Sequence, residues 1–215
     1  MEAIDDPGPR RRGRPPSTRS EDTHRAIIDG ARRLFGERHY DGVTNRDLAA
    51  AAGVTTCALY HDADSRLELD VQVDADLQAR VNDRFLRAQS CERTFVGRFG
   101  AVLAEVDALN REDPTIARFV GAVRSDVRTH PEIASHLAST ATERDQFFLR
   151  LVDLGISTGE ISAGDRLLVI EFVKLVLVGL IEGSADGVEQ HGRAVEALMA
   201  LVRGELIRPG RPDPG

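Results

Sequence analysis

The chain has 215 residues and a formal net charge of −7, a length that suits a small head on a medium-sized body better than two large domains. Residues 67–215 hold 17 basic and 24 acidic side chains, which accounts for the whole deficit and excludes wholesale coating of nucleic acid. Two cysteines, Cys57 and Cys91, lack metal-ligand or redox spacing and make no disulfide framework, so the default is a reducing cytoplasm.

Residues 1–20 are rich in Pro, Gly and Arg and show no apolar periodicity, which predicts a flexible basic arm. They contain no apolar core of the kind a signal peptide needs. Arg10, Arg11, Arg12, Arg14 and Arg19 fall in ten residues without an acid. Ser20 or Thr23 is placed to cap the first helix, whose apolar face is Ile27, Ile28, Ala31, Leu34 and Phe35. Gly42 stops it. Thr44 and Asp47 have capping-box spacing and open a short helix from Asn45 to Ala52. Gly53 closes that helix by turning left-handed, with Val54 tucked beneath the turn. Thr55 or Thr56 caps a second short helix that ends near Asp62 to Asp64, and Ser65 with Glu68 forms a capping box for a long one.

Beyond Ser65 the periodicity is helical throughout, with helices predicted near 65–90, 93–111, 114–129, 132–154, 163–185 and 187–207. The longest apolar run, Leu167 to Ile181, is interrupted by Glu171 and Lys174 and falls short of the roughly 20 residues that span a bilayer. Residues 209–215 read as a disordered Pro/Gly tail. No stretch alternates at period two, so the fold class is all-α: a three-helix head joined by a long helix to an all-helical body.

The two short helices and the turn between them, residues 45–64, have the layout of a helix-turn-helix within a head spanning 21–68. At 100° per residue, a Leu59 buried with Val54, Leu48 and Phe35 turns Cys57 and His61 outward and leaves Ala58 and Tyr60 on the flanks. That outward face is small and polar enough for a major groove about 12 Å wide. Thr44, Thr55 and Thr56 sit at helix N-termini, where free N–H groups favour phosphate, and Arg46 and Arg66 are candidates for phosphate or guanine contacts. The candidate DNA-binding set is thus Thr44, Arg46, Thr55, Thr56, Cys57, Ala58, Tyr60, His61 and Arg66, with Arg12 and Arg14 from the arm. Arg12-Gly13-Arg14-Pro15 looks like the core of an AT-hook, whose arginines lie along a narrow minor groove; the alternative is a merely soluble tail.

Residues 24–70 resemble the TetR family of bacterial transcriptional regulators. The matching positions are Ala31, Leu34, Phe35, Gly42, Thr44, Arg46, Leu48, Ala49, Ala52-Gly53-Val54, Leu59-Tyr60-His61, Ser65 and Leu69. The resemblance implies an Ω-shaped homodimer, a palindromic operator and an all-helical effector domain, here residues 69–208. The chain departs from the family pattern at Cys57, Asp62, Ala63 and Arg66. Asp62 and Asp64 put negative charge near the phosphate backbone, so they either turn away from it or weaken binding.

Two helices near the C-terminus carry more apolar surface than one monomer core needs, which suggests a four-helix dimer interface of Leu168, Leu175, Val178, Val195, Leu198 and Val202. The alternative is packing within one subunit. Phe95, Phe99, Leu103, Phe119, Val123, Phe147, Leu151 and Phe172 are core side chains or, as the resemblance implies, the wall of a small-molecule pocket. Lys174 either meets a ligand carboxylate or pairs with Glu171. His24, His39 and His191 read as surface, and His130 and His136 are poorly spaced to share a metal. No nucleophile elbow, phosphate loop or metal cluster points to an enzyme, and no cofactor is expected.

The functional expectation is a cytoplasmic, ligand-responsive repressor. It binds a palindromic double-stranded operator as a homodimer and is released by a small apolar effector. The alternative is a DNA-binding dimer whose body only pairs subunits or docks a protein partner. The sequence does not name the effector, the operator or the regulated genes.

Overall fold

The computed structural model describes residues 16–184 and 187–207. In chain order the helices are α1 (Pro16–Arg38), α2 (Asn45–Ala52), α3 (Thr56–Asp62), α4 (Arg66–Ala88), α5 (Phe95–Glu112), α6 (Thr115–Thr129), α7 (Pro131–His136), α8 (Ala138–Ser157), α9 (Arg166–Gly183) and α10 (Val188–Val202). A 3-10 turn, Ala163–Asp165, leads into α9. No strand occurs among the described residues. The all-α expectation holds, with two differences of extent. α1 begins at Pro16, ahead of the predicted cap at Ser20 or Thr23, because proline is compatible with a helix's first turn, where its missing N–H has no partner to lose. The single helix predicted over 132–154 is two, α7 and α8, broken at Leu137, whose side chain is buried in the core.

The head is a small core closed by α1, α2, α3 and the first turns of α4. Ile27, Ala31, Phe35, Val43, Leu48, Leu59, Leu69 and Val73 are each almost wholly excluded from water there. At about 1.5–3 kcal/mol per buried side chain of this size, the apolar face of α1 holds the short helices that could not persist alone. α4 then leaves the head and packs against α5 and α8. α9 runs against α6, α8 and α10, and α10 returns along α5.

The head is seated on the body along α1 and α6. At Gly36 the two helices approach so closely that a Cβ would lie 2.9 Å from the backbone nitrogen of Phe119. Arg32 is buried between them and donates to Asp113 (2.7 Å) and to the hydroxyl of Thr115 (2.6 Å). Burial alone would raise the Asp113 carboxyl, but hydrogen bonds from Arg32 and Thr115 override it and hold it below the usual carboxylate range. Just beyond α1, His39 adopts a left-handed backbone (φ 59°), which lets the Tyr40 N–H donate to Asp126 of α6 at 3.0 Å. The joint is therefore polar and specific rather than a sliding apolar contact.

Candidate nucleic-acid interface

The turn between the short helices is built as its residues dictate. The Thr44 hydroxyl accepts from the Asp47 N–H (3.2 Å), and the Asp47 carboxylate accepts in return from the Thr44 N–H (3.0 Å) and hydroxyl (2.5 Å). Those bonds hold the Asp47 carboxyl below its ordinary range. Gly53 sits at φ 67°, ψ 29°, a conformation any Cβ would strain, and Val54 closes the turn by donating to the Ala49 carbonyl at 3.0 Å. Thr55 caps α3 by accepting from the Ala58 N–H at 3.1 Å. Ser65 caps α4 by accepting from Glu68 N–H, while the Glu68 carboxylate reaches one residue further back than a capping box requires, to the Asp64 N–H.

With Leu59 buried, α3 presents Thr56, Cys57, Tyr60 and His61 to solvent, and Ala58 is half-buried on its flank. Arg46 of α2 is exposed beside them. Tyr60 is 49 % exposed, yet its hydroxyl accepts from the Asn45 side chain at 2.6 Å, which fixes the ring across the gap between α2 and α3. Asn45 was not among the expected site residues. Its only sequence signal is a polar amide directly after the Thr44 cap.

Two acids that would repel phosphate are differently placed. Asp62 turns back to α1, where its carboxylate meets His24 Nδ1 at 2.8 Å, whereas Asp64 stays exposed. Arg66 is engaged within the head: its guanidinium lies 4.1 Å from the Tyr40 ring centroid and donates to the Val43 carbonyl at 2.7 Å. Arg12 and Arg14 lie outside the described residues.

In the body, the expected pocket residues are placed as core. Phe95, Phe99, Leu103, Phe119, Phe147 and Leu151 are buried, and Val123 and Phe172 pack partly buried against them. The rings meet one another directly: Phe95 and Phe99 stack at 5.6 Å and Phe99 touches Phe172 at 6.1 Å. None of these side chains lines either of the two principal clefts. The expected dimer face is partly free. Leu168 and Leu175 are 70 % and 72 % exposed, and Val178, Leu198 and Val202 are half-buried. Val195 is corrected from interface to core, because α10 turns it inward to 8 % exposure. Leu167 and Leu201, not expected in this set, are likewise exposed on α9 and α10.

Lys174 is exposed and pairs with Glu171 at 3.4 Å. His191 is buried rather than on the surface, its Nδ1 held 3.1 Å from Asp107. His130 bridges Asp41 and Glu132 and sits edge-on to Tyr40, so it belongs to the joint between head and body. No helix among the described residues is long and apolar enough to cross a membrane.

Residues 27–69 match the family model described as bacterial regulatory proteins, tetR family. No curated protein matches the chain by sequence. Solved structures similar in fold include GusR of Salmonella enterica, 19 % identical, with a TM-score of 0.69 over 86 % of this chain and 95 % of that one. AibR in complex with isovaleryl coenzyme A and operator DNA is 16 % identical, with a TM-score of 0.69 over 83 % and 97 % of the two chains. A TetR transcription regulator from Haloarcula marismortui is 17 % identical, with a TM-score of 0.69 over 86 % and 98 %.

Proposed function

From the match of residues 27–69 to the TetR family model and the likeness in fold to solved structures, we infer that this chain is a TetR-type DNA-binding transcriptional regulator that acts as a homodimeric repressor on a palindromic operator. One observation carries the reading. α3 is anchored by Leu59 alone and turns Thr56, Cys57, Tyr60 and His61 to solvent, with Arg46 beside them and Asp62 withdrawn to His24. These side chains offer donors, acceptors and a thin profile to base edges, while Arg46 and the capping threonines Thr44 and Thr55 offer contacts to the backbone. The arm arginines Arg12 and Arg14 add sequence-tolerant affinity in an adjoining minor groove.

Pairing follows from α9 and α10. Exposed Leu167, Leu168 and Leu175 on α9 and Leu201 on α10 form a face that a second copy covers, which sets two heads about one helical turn or a small multiple apart. AibR was solved in complex with isovaleryl coenzyme A and operator DNA, and that likeness supports a small-molecule effector for this chain, which on our reading is apolar and releases it from the operator. Such an effector has to bind a more open body than this one, because the phenylalanine cluster is filled. The filled cluster favours a second reading, in which the body only pairs subunits or docks a protein partner. Thermal melting of the purified protein against a panel of apolar acids and acyl thioesters separates the two. A saturable rise in melting temperature with loss of operator binding supports the effector, and no response across the panel supports pairing alone.

A further inference from the structure

Arginines of this acidic chain commonly find carboxylates: Arg84 binds Glu105 and Glu112, Arg111 binds Asp107 and Arg166 binds Asp153. Arg118, Arg124 and Arg128 of α6 do not. Among the described residues their guanidinium groups make no ion pair and no side-chain hydrogen bond. All three line one cleft of about 400 Å³ between α6, the C-terminal end of α1 and the C-terminal end of α9. That volume lies within the roughly 300–1,000 Å³ typical of small-molecule sites.

The floor of the cleft is made of small residues. Gly36 and Gly121 contribute no side chain, and a Cβ on Gly121 would meet Ile181 at 3.7 Å, an ordinary contact that a side chain there tolerates. Among the described lining residues Glu182 is the one carboxylate. Nearby Asp126 is not among the lining residues and is occupied by the Tyr40 N–H and by His39, which does line the cleft. Among the described lining residues three cations therefore accompany one anion around a space with room for an occupant. A guanidinium is a rigid fork matched to the paired oxygens of a carboxylate or phosphate. A single carboxylate satisfies one such fork, whereas linked phosphates present enough oxygens for three.

We propose that this cleft binds a small phosphate-bearing anion, of the di- or triphosphate class, held by Arg118, Arg124 and Arg128. The site stands apart from the DNA-reading surface and does not depend on that assignment. Because Gly36 and His39 belong to the segment that carries the head while the arginines belong to the body, the occupant touches both sides of the joint.

Inorganic pyrophosphate and tripolyphosphate are the probes, with citrate as the carboxylate control, titrated into the full-length protein by calorimetry and by amide chemical-shift mapping. The expected result is saturable binding with a dissociation constant below about 1 mM, with shifts at residues 36–39 and 117–128. Affinity is expected to fall at least tenfold in Arg118→Gln/Arg124→Gln/Arg128→Gln. Gly121→Glu, whose Cβ fits in ordinary contact with Ile181, adds a second carboxylate to the cleft lining and is expected to abolish binding without altering the fold. Substituting Arg10, Arg11, Arg12 and Arg14 by Gln is expected to leave the binding intact. Tighter binding of citrate than of pyrophosphate would overturn the phosphate assignment. Shifts confined to the basic arm, no saturable binding, or glutamine variants that lose self-association yet keep pyrophosphate would overturn the site.

Discussion

Asp70 lies on α4 where the connecting helix leaves the head, 3 % exposed and with no hydrogen bond to its carboxylate among the described residues. Burial, reinforced by repulsion from Asp74 and Asp126 and only partly offset by Arg66, pushes its pKa from 3.8 up to about 7. The fold thus disfavours the charged form. Stability from this group is complete below the unfolded pKa of 3.8, falls as pH rises, and levels off above about 7. At about 1.4 kcal/mol per pKa unit the full displacement corresponds to about 4 kcal/mol, of which rather more than half accrues between about pH 5 and pH 8. Asp70→Asn keeps the shape and removes the charge. Its melting temperature should exceed that of the unsubstituted protein by about 5–10 °C more at about pH 8 than at about pH 5. Thermal unfolding followed by circular dichroism at the two pH values reads the difference. A variant that melts lower at both, or gains equally at both, would refute the claim that a disfavoured carboxylate sits in the joint.

Other outcomes follow from single contacts. Arg32→Ala strands the Asp113 carboxylate, which is one-third exposed and so partly rescued by water; a loss of about 2 kcal/mol is expected in urea unfolding. Gly53→Ala has open space for its methyl but the wrong backbone, so about 1 kcal/mol of stability should be lost from strain alone. Leu168→Glu/Leu175→Glu should leave helicity unchanged and yield monomers in analytical ultracentrifugation at micromolar concentration, with operator binding lost alongside pairing. In duplex titrations Arg46→Ala should weaken binding, and Arg14→Ala should weaken it and lower its salt dependence.

Much of the head was legible because its signals are local. The box formed by Thr44 and Asp47, the left-handed Gly53 and the cap at Ser65 are read from spacing alone and each is present, while of the two candidate caps for α3 it is Thr55 that serves. The outward placement of Cys57 and His61 follows from helical period once Leu59 is buried. What escaped depended on partners distant in sequence. Arg66 is engaged by Tyr40 and Val43, more than twenty residues upstream. Asp62 is a liability only until His24 is folded beside it. In the body, an apolar stripe on α10 cannot say which of two apolar neighbours it meets, so Val195 was assigned to the dimer and belongs to the core. The break at Leu137 carries no glycine or proline and arises from packing. The arginines of α6 are six and four residues apart, too scattered to read as a charge run until α1 and α9 close a cleft around them.

The proposal that α3 reads DNA in paired heads is tested most directly by selecting duplexes from a random pool with the purified protein, in parallel with Tyr60→Ala/His61→Ala. The expected result is a two-fold symmetric consensus with half-sites about one helical turn or a small multiple apart, lost in the variant while the fold and the dimer persist. No enrichment, or the same consensus recovered by the variant, would contradict it.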